Sequence, residues 1–173
     1  MPVVRYEDSD LDAYNEMAIA FYVRGPLGQG VYVHQMPVTQ EFTLHAGRQL
    51  WGYPKFLAGI SIDERPDEMR ARVEHEGEHV LTLTIKRARL RTPARTVPTY
   101  TFLDGALRFT RWEQPGARPD GRFGGATVEL GEHPIAEELR ALGLPRRALG
   151  TQAVRNMRAR FGPARAVSSV TSL

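Results

Sequence analysis

Two dipeptides, Glu76-Gly77 and Asp104-Gly105, each stand between runs rich in apolar and β-branched residues, and this restricts the chain more than any other feature. Leu81, Leu83 and Ile85 alternate with Thr82, Thr84 and Lys86, the pattern of an antiparallel strand with one face buried. Asp104-Gly105 separates Thr99–Leu103 from Ala106–Trp112 and is a strong two-residue hairpin signal. Periodicity predicts further strands at Val3–Tyr6, Glu16–Arg24, Val31–Thr39, Ile60–Glu64, Arg70–Glu76, Val80–Arg87 and Thr127–Leu130. Gly25-Pro26 bounds the second of these, and Gly28 to Gly30 is read as the turn into the third. A helix is predicted from Pro134. Proline suits the first helical position, Glu137 and Glu138 suit the N-terminal half, and Gly143 and Pro145 stop it, with Ile135, Leu139 and Leu142 as the apolar face. Ala46–Leu50 reads as one helical turn, ended by Gly52 and Pro54. Glu7–Asp12 reads as an acidic turn, Gln114–Gly125 as a loop and Ser168–Leu173 as a loose tail, while Val154–Phe161 fits strand or helix. The expectation is one domain over residues 1–173, mostly antiparallel β with one or two helices.

Several function classes are excluded or disfavoured. There is no cysteine, so no disulfide, thiolate metal site or catalytic thiol. The longest apolar run, Met17–Val23, is too short to span a bilayer as a helix, and the acidic start (Glu7, Asp8, Asp10, Asp12) is unlike a signal peptide, so a cytoplasmic protein is expected. Net charge is +3, but acids and bases are interleaved and no basic run carries aromatics, so nucleic acid is not an expected partner. Lys86-Arg87-Ala88-Arg89-Leu90-Arg91 is read as a strand with one charged face. His34, His45, His75, His79 and His133 are scattered, with none at helical i, i+4 spacing, and no metal site is expected. His133, just before the helix, is read as a cap or surface residue. Phosphate-loop, dinucleotide and serine-elbow motifs are absent.

The chemistry concentrates at Trp51-Gly52-Tyr53-Pro54-Lys55-Phe56-Leu57-Ala58. Of 23 Lys plus Arg residues only Lys55 and Lys86 are lysines, and one of them stands in the chain's most aromatic stretch. Arginine keeps its proton in any protein environment, whereas a lysine taken out of water can lose it and become a nucleophile. Two readings stand side by side: a side chain with its stem on an apolar surface and its ammonium in water, or a desolvated amine that forms a Schiff base with a carbonyl. Glu16, at the start of an apolar run, is the second candidate for the chemistry, its alternative being a strand-end carboxylate in water.

The stretch from Gly30-Val-Tyr-Val-His34 through Glu41 to Gly47-Arg48-Gln49-Leu50-Trp51-Gly52-Tyr53-Pro54-Lys55 resembles acetoacetate decarboxylase and its superfamily. Ser9-Asp-Leu11-Asp-Ala-Tyr14-Asn-Glu16 is similar to the family's Ser-x-Leu-x-x-Tyr-x-Glu element, and weaker similarity continues through His133-Pro134 and Leu142-Gly-Leu-Pro145. The resemblance implies a closed or partly open antiparallel β-cone around an apolar pocket, a homo-oligomer, Lys55 as the Schiff-base lysine and Glu16 as the active-site glutamate. It implies a small keto acid as partner and no cofactor. Tyr53, Trp51, Phe56 and Leu57 are expected as pocket wall, and Arg48 either as a substrate-carboxylate ligand or as half of a structural ion pair. Two departures stand out. The well-known decarboxylases carry a second lysine directly after the nucleophile, where this chain has Phe56. The family's N-terminal region supplies an arginine and another glutamate, which have no matching position here, so the pocket is expected to be incomplete or closed by a neighbouring subunit.

A lysine in water ionises near pH 10.4, so under ~0.1% is free amine at pH 7, and reaching about 7 takes roughly 4–5 kcal/mol. Full burial alone can supply about that much. An ionised Glu16 nearby would favour the ammonium, so the reading requires Glu16 to be offset from the amine or to share its proton. Three functions follow as expectations: decarboxylation of a β-keto acid through a lysine imine, aldol or dehydration chemistry through the same iminium, or a non-catalytic binding protein.

Overall fold

The structure is a computed structural model; it describes residues 1–173 apart from 11, 95, 155, 156 and 168–173. In chain order the strands are β1 Val3–Tyr6, β2 Tyr14–Met17, β3 Ile19–Gly25 and β4 Gly28–Val38, then helix α1 Glu41–Trp51 and β5 Lys55–Leu57. There follow β6 Gly59–Glu64, β7 Glu68–His75, β8 Glu78–Lys86, β9 Leu90–Arg91, β10 Thr99–Leu103, β11 Ala106–Thr110, β12 Trp112–Glu113, β13 Asp120–Phe123 and β14 Ala126–Leu130. Helix α2 Pro134–Ala141, β15 Gly150–Ala153, β16 Arg160–Phe161 and β17 Arg165–Ala166 complete the order. The chain is mostly β with two helices among the described residues, as its alternation predicts. Its sheets are open, and two of the pairings, β4 with β5 and β4 with β10, are parallel.

Two compact units contain these elements, the first within Met1–Leu57, Arg95–Pro115 and Arg158–Leu173, the second within Ala58–Ala94 and Gly116–Met157. In the first, the sheet runs β1-β2-β4-β10-β11-β17, with β3 and β5 also paired to β4. The eleven-residue β4 is the spine. One edge takes β3 and then β2, at Val38 opposite Glu16; the other takes β10 and then β5, at Met36 opposite Lys55. Between Ile19 and Ala20 the register against β4 shifts: Ile19 faces Gln35 and Ala20 faces Val33. Ala18, Val33, Met36, Val38, Leu44 and Tyr53 form the core of this unit, with Trp51 packed against it. In the second unit β14-β8-β7-β6 form one sheet and β15-β13-β9 another, and α2 lies against β8 and β14.

Several expectations are corrected. Glu16–Arg24 is two strands broken at Ala18, because Ala18 N–H donates to Pro2 O and the preceding residues pair with β1. The turn before β4 is Pro26-Leu27, and Gly28 already belongs to the strand, paired with Gly25. The single turn at Ala46–Leu50 is part of a three-turn helix: Gln40 caps it by accepting from Thr43 N, and Gly52, at φ 66°, ends it with its N–H on Arg48 O. The basic cluster is not one strand: β8 stops at Lys86, which is exposed as expected, and the next strand starts at Leu90. The loop from Gln114 to Gly125 contains β13. In Val154–Phe161 only Arg160–Phe161 is regular, as strand, and Arg155 and Asn156 lie outside the described residues. So does the tail from Ser168 to Leu173. Leu142 is 52% exposed, and Ala136 joins Leu139 as the buried face of α2. Asp104 and Gly105 both take positive φ, 51° and 72°, as a tight hairpin of that sequence should.

Candidate active site

Register alone places the lysine and the glutamate together. Residues directly opposite one another in a sheet share a face, and residues two apart on a strand share a face. Met36 and Val38 therefore point the same way, and so do their partners Lys55 and Glu16 on the two flanking strands. Helix α1 covers this face with Thr43, Leu44 and Gly47. Lys55 is 5% exposed. Its Nζ lies 2.7 Å from Glu16 Oε2, whose side chain is 12% exposed, and donates to Thr43 Oγ1 at 2.9 Å. Glu16 is thus not offset from the amine. The snorkelling reading of Lys55 and the solvated reading of Glu16 both fail on burial.

Gly47 makes the lysine's position possible. A Cβ there would stand 2.6 Å from both Cδ and Cε of Lys55. A mid-helix glycine costs about 1 kcal/mol against alanine, and here it opens the channel through which the side chain passes beneath α1.

Aromatic hydroxyls surround the pair. The Tyr14 ring centroid is 5.6 Å from Lys55 Nζ, and Tyr6 stacks on Tyr14 with centroids 4.5 Å apart. The Tyr14 hydroxyl hydrogen-bonds both Thr43 and Tyr6. Burial, then the charge of Glu16, pushes Tyr14 up to about 12, against the pull of those hydrogen bonds. The same two causes, burial first, hold Tyr6 well above an ordinary phenol. Tyr53 is buried, and its hydroxyl meets Thr99 Oγ1 at 3.0 Å. Burial is the largest cause of its rise to about 12; Thr99 opposes this and Glu16 adds to it.

The remaining expected residues are placed as follows. Trp51 stacks near Tyr53, centroids 6.2 Å apart, and its Nε1 donates to Gly162 O at 2.8 Å. Arg48 is exposed on α1, and its Nε donates to Lys55 O at 2.7 Å, fixing the Lys55 backbone. Phe56 pairs with Pro37 and so points to the face opposite Lys55. Thr43 is not singled out by the sequence, and Gly47 stands there only as part of the family-like stretch; their i, i+4 spacing signals a shared face only with the helix drawn from Glu41. Tyr14 entered only through the Ser-x-Leu-x-x-Tyr-x-Glu element, of which Leu11 lies outside the described residues.

In the second unit His75, Glu76 and His133 bring ligand-type atoms within 4.8 Å of one another. The scattered spacing of the histidines concealed this. His133 is the N-cap of α2, with Nδ1 accepting from Ile135 N–H. A neutral ring then carries its proton on Nε2, 3.1 Å from His75 Nδ1. A cation at Nε2 would have to displace that proton, so the arrangement is better suited to capping the helix than to holding a metal.

The site is thus a buried amine paired with a carboxylate on an open, mostly β scaffold. Comparison with known proteins gives the family. The acetoacetate decarboxylase (ADC) family matches residues 1–162, and the chain belongs to that family. Acetoacetate decarboxylase from Legionella pneumophila superposes with a TM-score of 0.76 at 17% identity, over 98% of this chain and 73% of that one. An acetoacetate decarboxylase-like enzyme from Sphingomonas wittichii RW1 gives 0.68 at 17% identity, covering 91% and 69%. The enduracididine biosynthesis enzyme MppR, complexed with pyruvate, gives 0.67 at 12% identity, covering 92% and 68%. No curated protein matches the chain. No helix among the described residues is long and apolar enough to cross a membrane.

Proposed function

We propose that the protein is a Schiff-base-forming lyase that decarboxylates a small β-keto acid. The observation that carries this reading is the buried Lys55 Nζ at 2.7 Å from Glu16. The ammonium must lose a proton before it can attack, and Glu16 is in contact to take it. The neutral amine adds to the ketone, water leaves, and the protonated imine accepts the electron pair of the C–C bond as CO2 departs. The enamine is then protonated and hydrolysed. Lys55 is the nucleophile and Glu16 the proton shuttle. Tyr53 and Trp51 form the wall, Arg48 holds the Lys55 backbone, and Phe56 supports β5 from its far face. The iminium itself is the electron sink, so the scheme calls for no cofactor.

Aldol or dehydration chemistry on a keto acid is the second reading. Phe56 stands where the well-known decarboxylases have a second lysine, and MppR has been solved with the condensation product of pyruvate and imidazole 4-carboxaldehyde. Borohydride reduction in the presence of acetoacetate or pyruvate, followed by peptide mapping, tests the shared step. An adduct on Lys55 is expected. Its absence with both compounds would leave a non-catalytic binding protein, and CO2 release separates the two enzymatic readings.

A further inference from the structure

We propose that Tyr6 and Tyr14 form a proton relay from a solvent cleft toward Lys55, with Thr43 holding Tyr14 beside the amine and the Tyr14 hydroxyl delivering the proton to the enamine carbon. This rests on the imine reading and assigns the donor that the reading leaves open.

The geometry is a continuous line of hydroxyls. An ammonium can only donate, so Thr43 Oγ1 accepts from Lys55 Nζ at 2.9 Å and its own O–H donates a hydrogen bond to the Tyr14 oxygen. Tyr14 bonds Tyr6 in turn. Tyr6 and Tyr14 both line a cleft of about 420 Å³, with Arg5 and Asn15 at its wall. One end of the line therefore touches the Lys55 nitrogen, and the two tyrosines at the other end border the cleft. Only the Thr43 hydroxyl stands between the amine and the Tyr14 phenol, and the carbon to be protonated lies two bonds from that nitrogen.

The groups suit a relay better than a base. Burial and the Glu16 charge hold both phenols protonated across the neutral range, so each keeps a proton to give. Glu16 serves the other step, taking the proton that leaves the ammonium. The balance is simple. The enamine C=C pair takes the Tyr14 O–H proton, forming a C–H bond and restoring the iminium. Tyr14 takes a proton from Tyr6, and Tyr6 takes one from water. Nothing is oxidised or reduced.

The test separates imine formation from carbon protonation. Pyruvate and acetone are incubated with the full chain in D2O, and deuterium entry into their methyl groups is followed by NMR. Parallel samples are reduced with borohydride to quantify the Lys55 adduct. For Tyr14→Phe, exchange is expected to fall about 100-fold, with adduct yield within about twofold of the parent protein at saturating carbonyl. Tyr6→Phe, which leaves Tyr14 in place, should show a smaller loss of exchange and the same adduct yield, and keeps the test valid should Tyr14→Phe fold poorly. Unchanged exchange in both variants overturns the relay while the imine stands. A parallel fall of adduct and exchange also overturns it, since the phenols would then merely shape the pocket. An absent adduct in the parent protein overturns the imine reading itself, and the relay with it.

Discussion

A buried ion pair is a poor source of stability and an effective device for holding a group in place. Each charge taken from water costs several kcal/mol, and the attraction between the two does little more than return it. Removing one partner is another matter. Lys55→Met should destabilise the fold by about 3 kcal/mol, because Glu16 would keep its burial and lose its counter-ion. Adding Glu16→Gln to that variant should recover much of the loss. Urea unfolding of the two single variants and the double variant measures this. A double variant no more stable than Lys55→Met would show that the pair is not coupled as its 2.7 Å separation requires. The second lysine needs no such partner, since Lys86 ends β8 in solvent.

Among the elements, α1 governs how the amine is presented. Gly47→Ala should favour the helix by about 1 kcal/mol in isolation. Its Cβ would nevertheless meet the Lys55 stem at 2.6 Å, inside a space closed by Glu16 and Thr43. The expected outcome is a folded protein whose rate of adduct formation falls about 100-fold, the scale of a 1 Å displacement of a reacting group. Circular dichroism and borohydride trapping read the two halves, and normal trapping would refute the steric role. This helix is also where the sequence was least legible. Phe42 and Thr43 are weak helix formers, Gly47 weaker, and the inward side of α1 is Thr43, Leu44 and Gly47, only one of which is a large apolar residue. A helix built around a lysine's path does not show an ordinary hydrophobic stripe. Strands were easier, because β7, β8, β10 and β11 are joined by turn dipeptides that demand positive φ, Glu76-Gly77 and Asp104-Gly105. The two-residue strands β9, β12, β16 and β17 carry too few residues for a period to be counted, and β13 and β15 each contain a glycine and little apolar sequence. The Lys55–Glu16 pair was legible as two residue types in apolar surroundings and, through the family resemblance, as partners. Its hydroxyl shell was not, since Thr43 and Tyr6 fall outside every quoted motif.

For the molecule as a whole, the buried phenols set an alkaline limit. Tyr53 ionises near 10 in an unfolded chain and at about 12 in the folded one. Below pH 10 both states keep the proton and stability is unaffected. Between 10 and 12 only the unfolded chain releases it, so stability falls as pH rises, by on the order of 2–3 kcal/mol from Tyr53. Tyr14 acts in the same direction. Unfolding midpoints measured from pH 9 to 12 should show this decline, and Tyr53→Phe should flatten it; an equal slope in that variant would locate the effect elsewhere. The register shift between β3 and β4 reaches further than its size suggests. Val33 and Met36 are three apart, an odd step that would send them to opposite sides of a regular ribbon, yet both belong to one core. The extra residue at that point inverts the parity of everything downstream. Deleting His34 would turn Met36 and Val38 about-face, and Lys55 and Glu16, keyed to those two rungs from either flank, would be carried out of the interior without either having been altered.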